Sequence, residues 1–200
     1  MTDSGNALND PMNVFIGKNI LYKAHSLEET AGHFYKTPAI VQNIIQQSRQ
    51  QLYTEREHRP HPHLDDKIIT AWNGLMISAF AKGYQILNEE RYLMAAQQSA
   101  QFIISHLYNS ETKTLHRRFR ESDARYDGGL QDYSFFAAGL LDLYEASFDI
   151  QWLEHSIELT VRQNELFTDK TNGGFFDTPG TDNSILIRSK EDYDAAEPTG

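Results

Sequence analysis

The chain contains no cysteine. Structural disulfides, thiolate metal sites, cysteine nucleophiles and thiol redox chemistry are excluded with it. Basic charge is also scarce: 18 Lys and Arg stand against 28 Asp and Glu, for a formal net charge of -10. Phosphate binding needs a basic face that such a chain supplies only locally, which argues against a nucleic-acid partner. No apolar run approaches the roughly 18 residues of a membrane span. The first residues are polar and lack the apolar core of a signal peptide. A cytoplasmic location without a membrane partner is the expectation.

What is present fits a folded domain. Two hundred residues, 40% hydrophobic and 23% charged, are enough for one soluble core, so residues 1–200 are read as a single domain. Ser26 can cap a helix with Glu29 at the reciprocal capping-box position, running to about Tyr35. Thr37-Pro38 opens another, with an apolar stripe at Ile40, Val41, Ile44, Ile45 and Leu52 and an end near His58. The segment "RPHPHLDD" is proline-stiffened and extended. Asp65 or Asp66 then caps a long helix whose buried face is read as Ile68, Ile69, Trp72, Leu75, Met76, Ala79, Phe80 and Leu87. After a break at Asn88-Glu89 the period resumes with Tyr92, Ala96, Ala100, Ile103 and Leu107, completing a helical hairpin.

The hairpin repeats. An offset of 60 residues places Tyr92 on Trp152, Tyr84 on Tyr144, Phe80 on Leu140 and Met76 on Phe136. The same offset places Trp72 on Asp132 and Asn73 on Tyr133, so the polar first turns coincide. A repeat of helix pairs implies a stack or a ring. Turn-rich stretches follow the hairpins. In them "LHRRFR" (115–120) reads as a hairpin or an anion contact, and Phe175, Phe176 and Ile185 to Ile187 read as short strands. The Gly-rich "TNGGFFDTPG" lacks the lysine and spacing of a phosphate loop and reads as turn chemistry.

The stretches "RPHPHLDDKIITAWNGLMISAFAKGYQIL", "LQDYSFFAAGLLDLYEASFD", "LFTDKTNGGFFDT" and "DAAEPTG", in this order, resemble the successive motifs of the spermatogenesis-associated protein 20 family. The resemblance implies an all-α fold, a partial (α/α)6 toroid with short β excursions. Such a toroid is similar to those of N-acylglucosamine 2-epimerases and six-hairpin glycosidases. Family members also carry a thioredoxin-like domain, which has no counterpart in these 200 residues. The chain is thus expected to be a middle slice of the toroid that self-associates through open ends led by Ile44 and Ile45 on one side and Leu159 and Leu166 on the other. The last motif, usually Asp-Gly-Ala-x-Pro-Ser, here reads Asp194-Ala195-Ala196-Glu197-Pro198-Thr199.

Such a ring gathers the first turns of its inner helices around one mouth. Asp66 and Asp132 are the candidate acid–base carboxylates, with Asp65, Lys67, Trp72, Asn73, Tyr133 and Asp194 as candidate sugar contacts. Carboxylates suit glycoside or epimerase chemistry, and aromatic rings stack on pyranose carbons. Each has a structural alternative: the aspartates suit helix caps, Lys67 an ion pair, and Trp72 a core position. Asn73-Gly74, two poor helix formers, signals that a backbone or ligand needs the space. His61 and His63 alternate along an extended segment without a third ligand, so no metal site is expected there, although either remains a candidate general base. His155 reads as structural. No cofactor is implied. The expected function is carbohydrate-active, epimerase- or glycosidase-like, or alternatively a non-catalytic module beside a thioredoxin-like domain.

Overall fold

The computed structural model describes residues 5–7, 10–181 and 185–191. The chain forms two compact units, Met1–Leu64 and Asp65–Gly200. In the first, α1 (Leu27–His33) starts with the anticipated capping box, Ser26 Oγ accepting from Glu29 N while Glu29 accepts from Ser26 N. In α2 (Pro38–Glu57) Thr37 is the N-cap and Pro38 opens the helix. Of its apolar stripe Val41 is buried, whereas Ile40, Ile44, Ile45 and Leu52 are exposed.

The second unit holds two helical hairpins. In the first, β1 (Ile68–Ile69) leads into α3 (Thr70–Leu87), which turns through Asn88 into α4 (Glu90–His106). Then come β2 (Tyr108–Asn109), β3 (Thr114–Arg120) and β4 (Asp123–Asp127). The second hairpin is α5 (Leu130–Ser147) with α6 (Ile150–Phe167). The start and end of α5 lie 60 residues after those of α3, and α6 starts 60 after α4. Both first helices end on a left-handed residue, Asn88 (φ 52°) and Phe148 (φ 56°). The repeat read in the sequence is thus a repeat of backbone.

Helices α3 and α5 lie side by side and run in the same direction. The repeat-equivalent Lys82 and Asp142 meet as an ion pair at 3.0 Å, and Ser78 Oγ donates to the same carboxylate. Their approach is set by glycine. A methyl group at Gly74 would stand 2.5 Å from the Phe135 carbonyl carbon, and one at Gly139 would stand 2.5 Å from Gly74 O. The space that Asn73-Gly74 signalled is filled by neighbouring backbone. Accordingly α3 buries its small face, Thr70, Ala71, Gly74, Ile77 and Ala81, while Trp72, Leu75, Met76 and Leu87 are exposed. This corrects the apolar stripe read for this helix at Trp72, Leu75, Met76 and Leu87, since backbone contact with α5 selects small residues there, whereas Phe80 packs against the core as read. The core lies between α3, α4, α5 and α6 and includes Ile77, Ala100, Ile103, Phe136, Leu140 and Trp152. Leu159 belongs to it too, rather than to an open face; the large exposed apolar residues of α6 are Ile150, Ile157 and Val161.

At the sheet, β3 pairs antiparallel with β4 along one edge and with β2 and β1 at the two ends of the other. The β3–β4 turn places Glu121 (φ 52°) and Ser122 (φ 61°) in the left-handed region, as a two-residue hairpin of this twist requires. The stretch "LHRRFR" is therefore a hairpin strand. Among the described residues, Phe175 forms a single bridge with Thr168, and Ile185 to Ile187 form no strand.

Candidate functional site: where two helices begin

Asp132 is the third residue of α5. Its Oδ2 accepts from Gly129 N at 2.9 Å, closing the first turn of its own helix. Its Oδ1 accepts from Ala71 N at 3.0 Å, in the first turn of α3. One carboxylate thus caps two helices that present their positive dipole ends together. Arg117 Nη1 stands 3.9 Å from Oδ2. Asp132 is 0% exposed, whereas the Arg117 side chain is 51% exposed. A carboxylate with no open surface, held by N–H groups on both oxygens, anchors structure; it exchanges no proton with a bound sugar in this arrangement. The structure thus places Asp132 as a cap shared by both helices.

The remaining candidates separate. Asp65 and Asp66 precede α3 and cap nothing, because Ile68 and Ile69 first pair with β3, and the N-cap position falls on Ile69. Asp65 Oδ2 lies 3.2 Å from Lys67 Nζ, and hydrogen bonding from Lys67 holds its carboxyl below the usual aspartate value. Asp66 Oδ1 lies 2.7 Å from Arg120 Nε. Arg117 and Arg120 project to opposite faces of β3, since successive strand residues alternate. Asp66 and Asp132 are thus associated with different arginines of β3. Asn73 is tied within the fold: its Nδ2 donates to Ile69 O at 2.8 Å, and its Oδ1 accepts from Ser99 Oγ at 3.0 Å.

Tyr133 is 1% exposed, with its ring edge-on to Phe167 and its hydroxyl accepting from Leu115 N at 2.9 Å. It has no free face for stacking on a sugar. Burial pushes its phenol above the ordinary value, opposed by the Leu115 N–H and the charge of Arg162. Trp72 is 62% exposed, two residues after Thr70, whose hydroxyl donates to His116 O at 2.6 Å. Asp194 and its motif lie outside the described residues. His61 and His63 are exposed, and His155 packs edge-on against Tyr108. Among the described residues no cluster of three or more His, Asp or Glu could hold a metal, and no helix is long and apolar enough to cross a membrane.

Where α3 and α5 begin, Arg117 thus stands 3.9 Å from a sealed Asp132, and Trp72 lies in the first turn of α3. Arg117 was passed over as part of a basic cluster. Its signal lay in the strand period: Leu115, Arg117 and Phe119 share one face, and both apolar neighbours pack against the core.

No family model matches the chain. Human spermatogenesis-associated protein 20 is 36% identical over 210 aligned residues, covering 100% of this chain. The mouse protein of the same name is 36% identical over 203 aligned residues, covering 97%. The chain is homologous to spermatogenesis-associated protein 20. It spans 27% of the human and 26% of the mouse spermatogenesis-associated protein 20.

Solved structures agree on the architecture. The cellobiose 2-epimerase of Bacillus thermoamylovorans superposes with a TM-score of 0.54 at 17% identity, over 58% of this chain and 31% of that one. A GH76 α-mannanase of Bacteroides thetaiotaomicron gives 0.52 at 17% identity, over 60% and 34%. The fold is that of part of an (α/α)6 toroid, built of helical hairpins with short strands, as the resemblance implied.

Proposed function

We propose that the chain is a carbohydrate-active-type domain that binds a sugar where α3 and α5 begin. The carrying observation is the Arg117 guanidinium, half open to solvent above the buried Asp132 carboxylate, with the exposed indole of Trp72 in the first turn of the α3 helix that the same carboxylate caps. The carboxylate attracts Arg117 to this turn at 3.9 Å while leaving N–H donors for ligand hydroxyls, and an exposed indole offers a face for the C–H side of a pyranose. The likeness of fold to a cellobiose 2-epimerase and an α-mannanase supports a sugar over other ligands of similar polarity, by analogy of fold.

Within the proposal, these residues bind and orient. The sealing of Asp132 removes one member of the acid–base pair, which favours the non-catalytic sugar-binding reading for this chain over an epimerase or glycosidase reaction carried by Asp66 and Asp132. In that reading it works beside a thioredoxin-like domain such as the family carries.

Trp72 and Trp152 make the test direct, because the first is 62% exposed and the second 3%. Acrylamide should quench Trp72 and leave Trp152 bright. Cellobiose or a mannose disaccharide should then shield Trp72, and Arg117→Gln should abolish the shielding. If neither cellobiose nor a mannose disaccharide alters quenching, the proposal fails.

A further inference from the structure

A cavity lies between the β3–β4 hairpin and α6, lined by neither Trp72 nor Arg117. It has a volume of about 250 Å3 and is lined by Thr114, Leu115, Asp127, Tyr133, Arg162 and Leu166, among others. Its polar groups have unused capacity. The Tyr133 hydroxyl accepts from Leu115 N, and its own proton meets no acceptor among the described residues. Arg162 pairs through Nη1 with Glu165 at 2.8 Å, while its Nε is buried without a hydrogen-bond partner among the described residues. Asp127, at the end of β4, carries an exposed carboxylate. Thr114 Oγ1 shares a 2.7 Å hydrogen bond with Thr112 Oγ1, so one of the two hydroxyls keeps a free proton.

Buried donors without partners are costly in a folded chain and are ordinarily satisfied by water or a ligand. The lining combines one cation, one anion, two kinds of hydroxyl and two leucine walls. The charges balance, which selects against a strongly anionic or cationic guest. A lining that offers both donors and an acceptor suits a diol, in which each hydroxyl both donates and accepts. The volume lies below the roughly 300 Å3 at which drug-sized pockets begin, which fits one sugar ring and not two.

We infer that this cavity is a binding site for a single neutral monosaccharide unit, with Asp127 accepting from ligand hydroxyls and Tyr133 and Arg162 donating to them. The inference rests on the carbohydrate reading above, but it shares no residue with the Trp72–Arg117 mouth and can fail separately from it.

The test is titration of the isotope-labelled full chain with D-mannose, D-glucose and D-glucuronate, followed by amide shifts. Shifts are expected at Leu115, Gly128 and Leu166 with a neutral hexose, and weaker binding is expected for glucuronate because a charge-balanced lining does not offset the desolvation of its carboxylate. Asp127→Asn and Arg162→Gln should each weaken hexose binding about tenfold, the scale of a lost hydrogen bond to a charged group. Trp72→Ala should leave it unchanged. Asp127 is exposed, so its variant keeps the test valid should Arg162→Gln unfold. Hexose shifts confined to the Trp72 turn, or binding indifferent to Asp127→Asn, would overturn the cavity and leave the mouth standing. Absence of hexose binding, with disaccharide shielding of Trp72 intact, would do the same.

Discussion

Gly74→Ala and Gly83→Ala place the same methyl group in the same helix, and the structure assigns them opposite signs. At Gly83 the new carbon would meet the Tyr92 ring at 3.8 Å, an ordinary contact. Relief of glycine's helix penalty should then stabilise the protein by up to about 1 kcal/mol. At Gly74 the new carbon would lie 2.5 Å from Phe135 C and 2.6 Å from Phe136 N. Carbon atoms rest about 3.5 to 4.0 Å apart, so α3 and α5 must separate by roughly 1 Å, and no flexible side chain can yield in their place.

Overpacking of this kind costs about 1 to 3 kcal/mol. Backbone against backbone belongs at the upper end, so the helix-propensity gain leaves a net loss of about 2 kcal/mol. In urea, with a slope of about 1 to 3 kcal/mol/M, the midpoint should fall by roughly 1 M for Gly74→Ala and rise for Gly83→Ala. Far-UV circular dichroism follows both transitions. Equal or greater stability of Gly74→Ala would refute the close approach of α3 and α5.

Asp132→Asn should destabilise by about 1 to 3 kcal/mol, because an amide cannot present acceptors to both Ala71 N and Gly129 N; a urea midpoint equal to wild type contradicts the double cap. Asp169 accepts from Lys190 Nζ at 2.7 Å and from Thr171 N and Asn172 N, and these bonds hold its carboxyl far below the usual value. With its folded value depressed, its contribution is complete above the unfolded value of about 3.9 and is lost as pH falls below that. Asp169→Asn should therefore flatten the stability profile below about pH 4, and an unchanged slope there would exclude the linkage. The exposed Leu75 and Met76 of α3, with Ile44 and Ile45 of α2, should drive self-association that rises with concentration in sedimentation velocity and weakens in Met76→Glu. A monomer at every concentration ends that expectation.

The repeat was legible because helix pairs of equal length place equivalent residues at a constant offset, and such patterns survive loss of identity. The caps at Ser26 and Thr37 were legible because their partners lie three residues away. The cap reading of Asp132 was legible only for its own helix, because the second partner, Ala71 N, lies 61 residues earlier, and a cap reaching across helices leaves no local spacing. The α3 face was misread for a related reason. Large apolar residues usually face the core, but a neighbouring backbone at contact distance reverses the preference. The β3–β4 turn was hidden as well, since Glu121 and Ser122 occupy left-handed positions where Asn-Gly is the usual signal.

The offset also bears on Trp72. Its equivalent, Asp132, is sealed by the duty of capping α3, whereas Trp72 at the same turn of α3 is open. The position therefore does not dictate a buried residue; the neighbour does. The face of α5 that meets α3 includes Phe135 and Gly139, and the equivalent Leu75 and Ala79 are exposed. A helix or a sugar could cover that turn, and each leaves its own trace. Covering by protein would protect Trp72 from acrylamide in proportion to chain concentration and would be relieved by Met76→Glu. Covering by sugar would protect it in proportion to ligand and would be relieved by Arg117→Gln, because only the sugar needs the guanidinium donors.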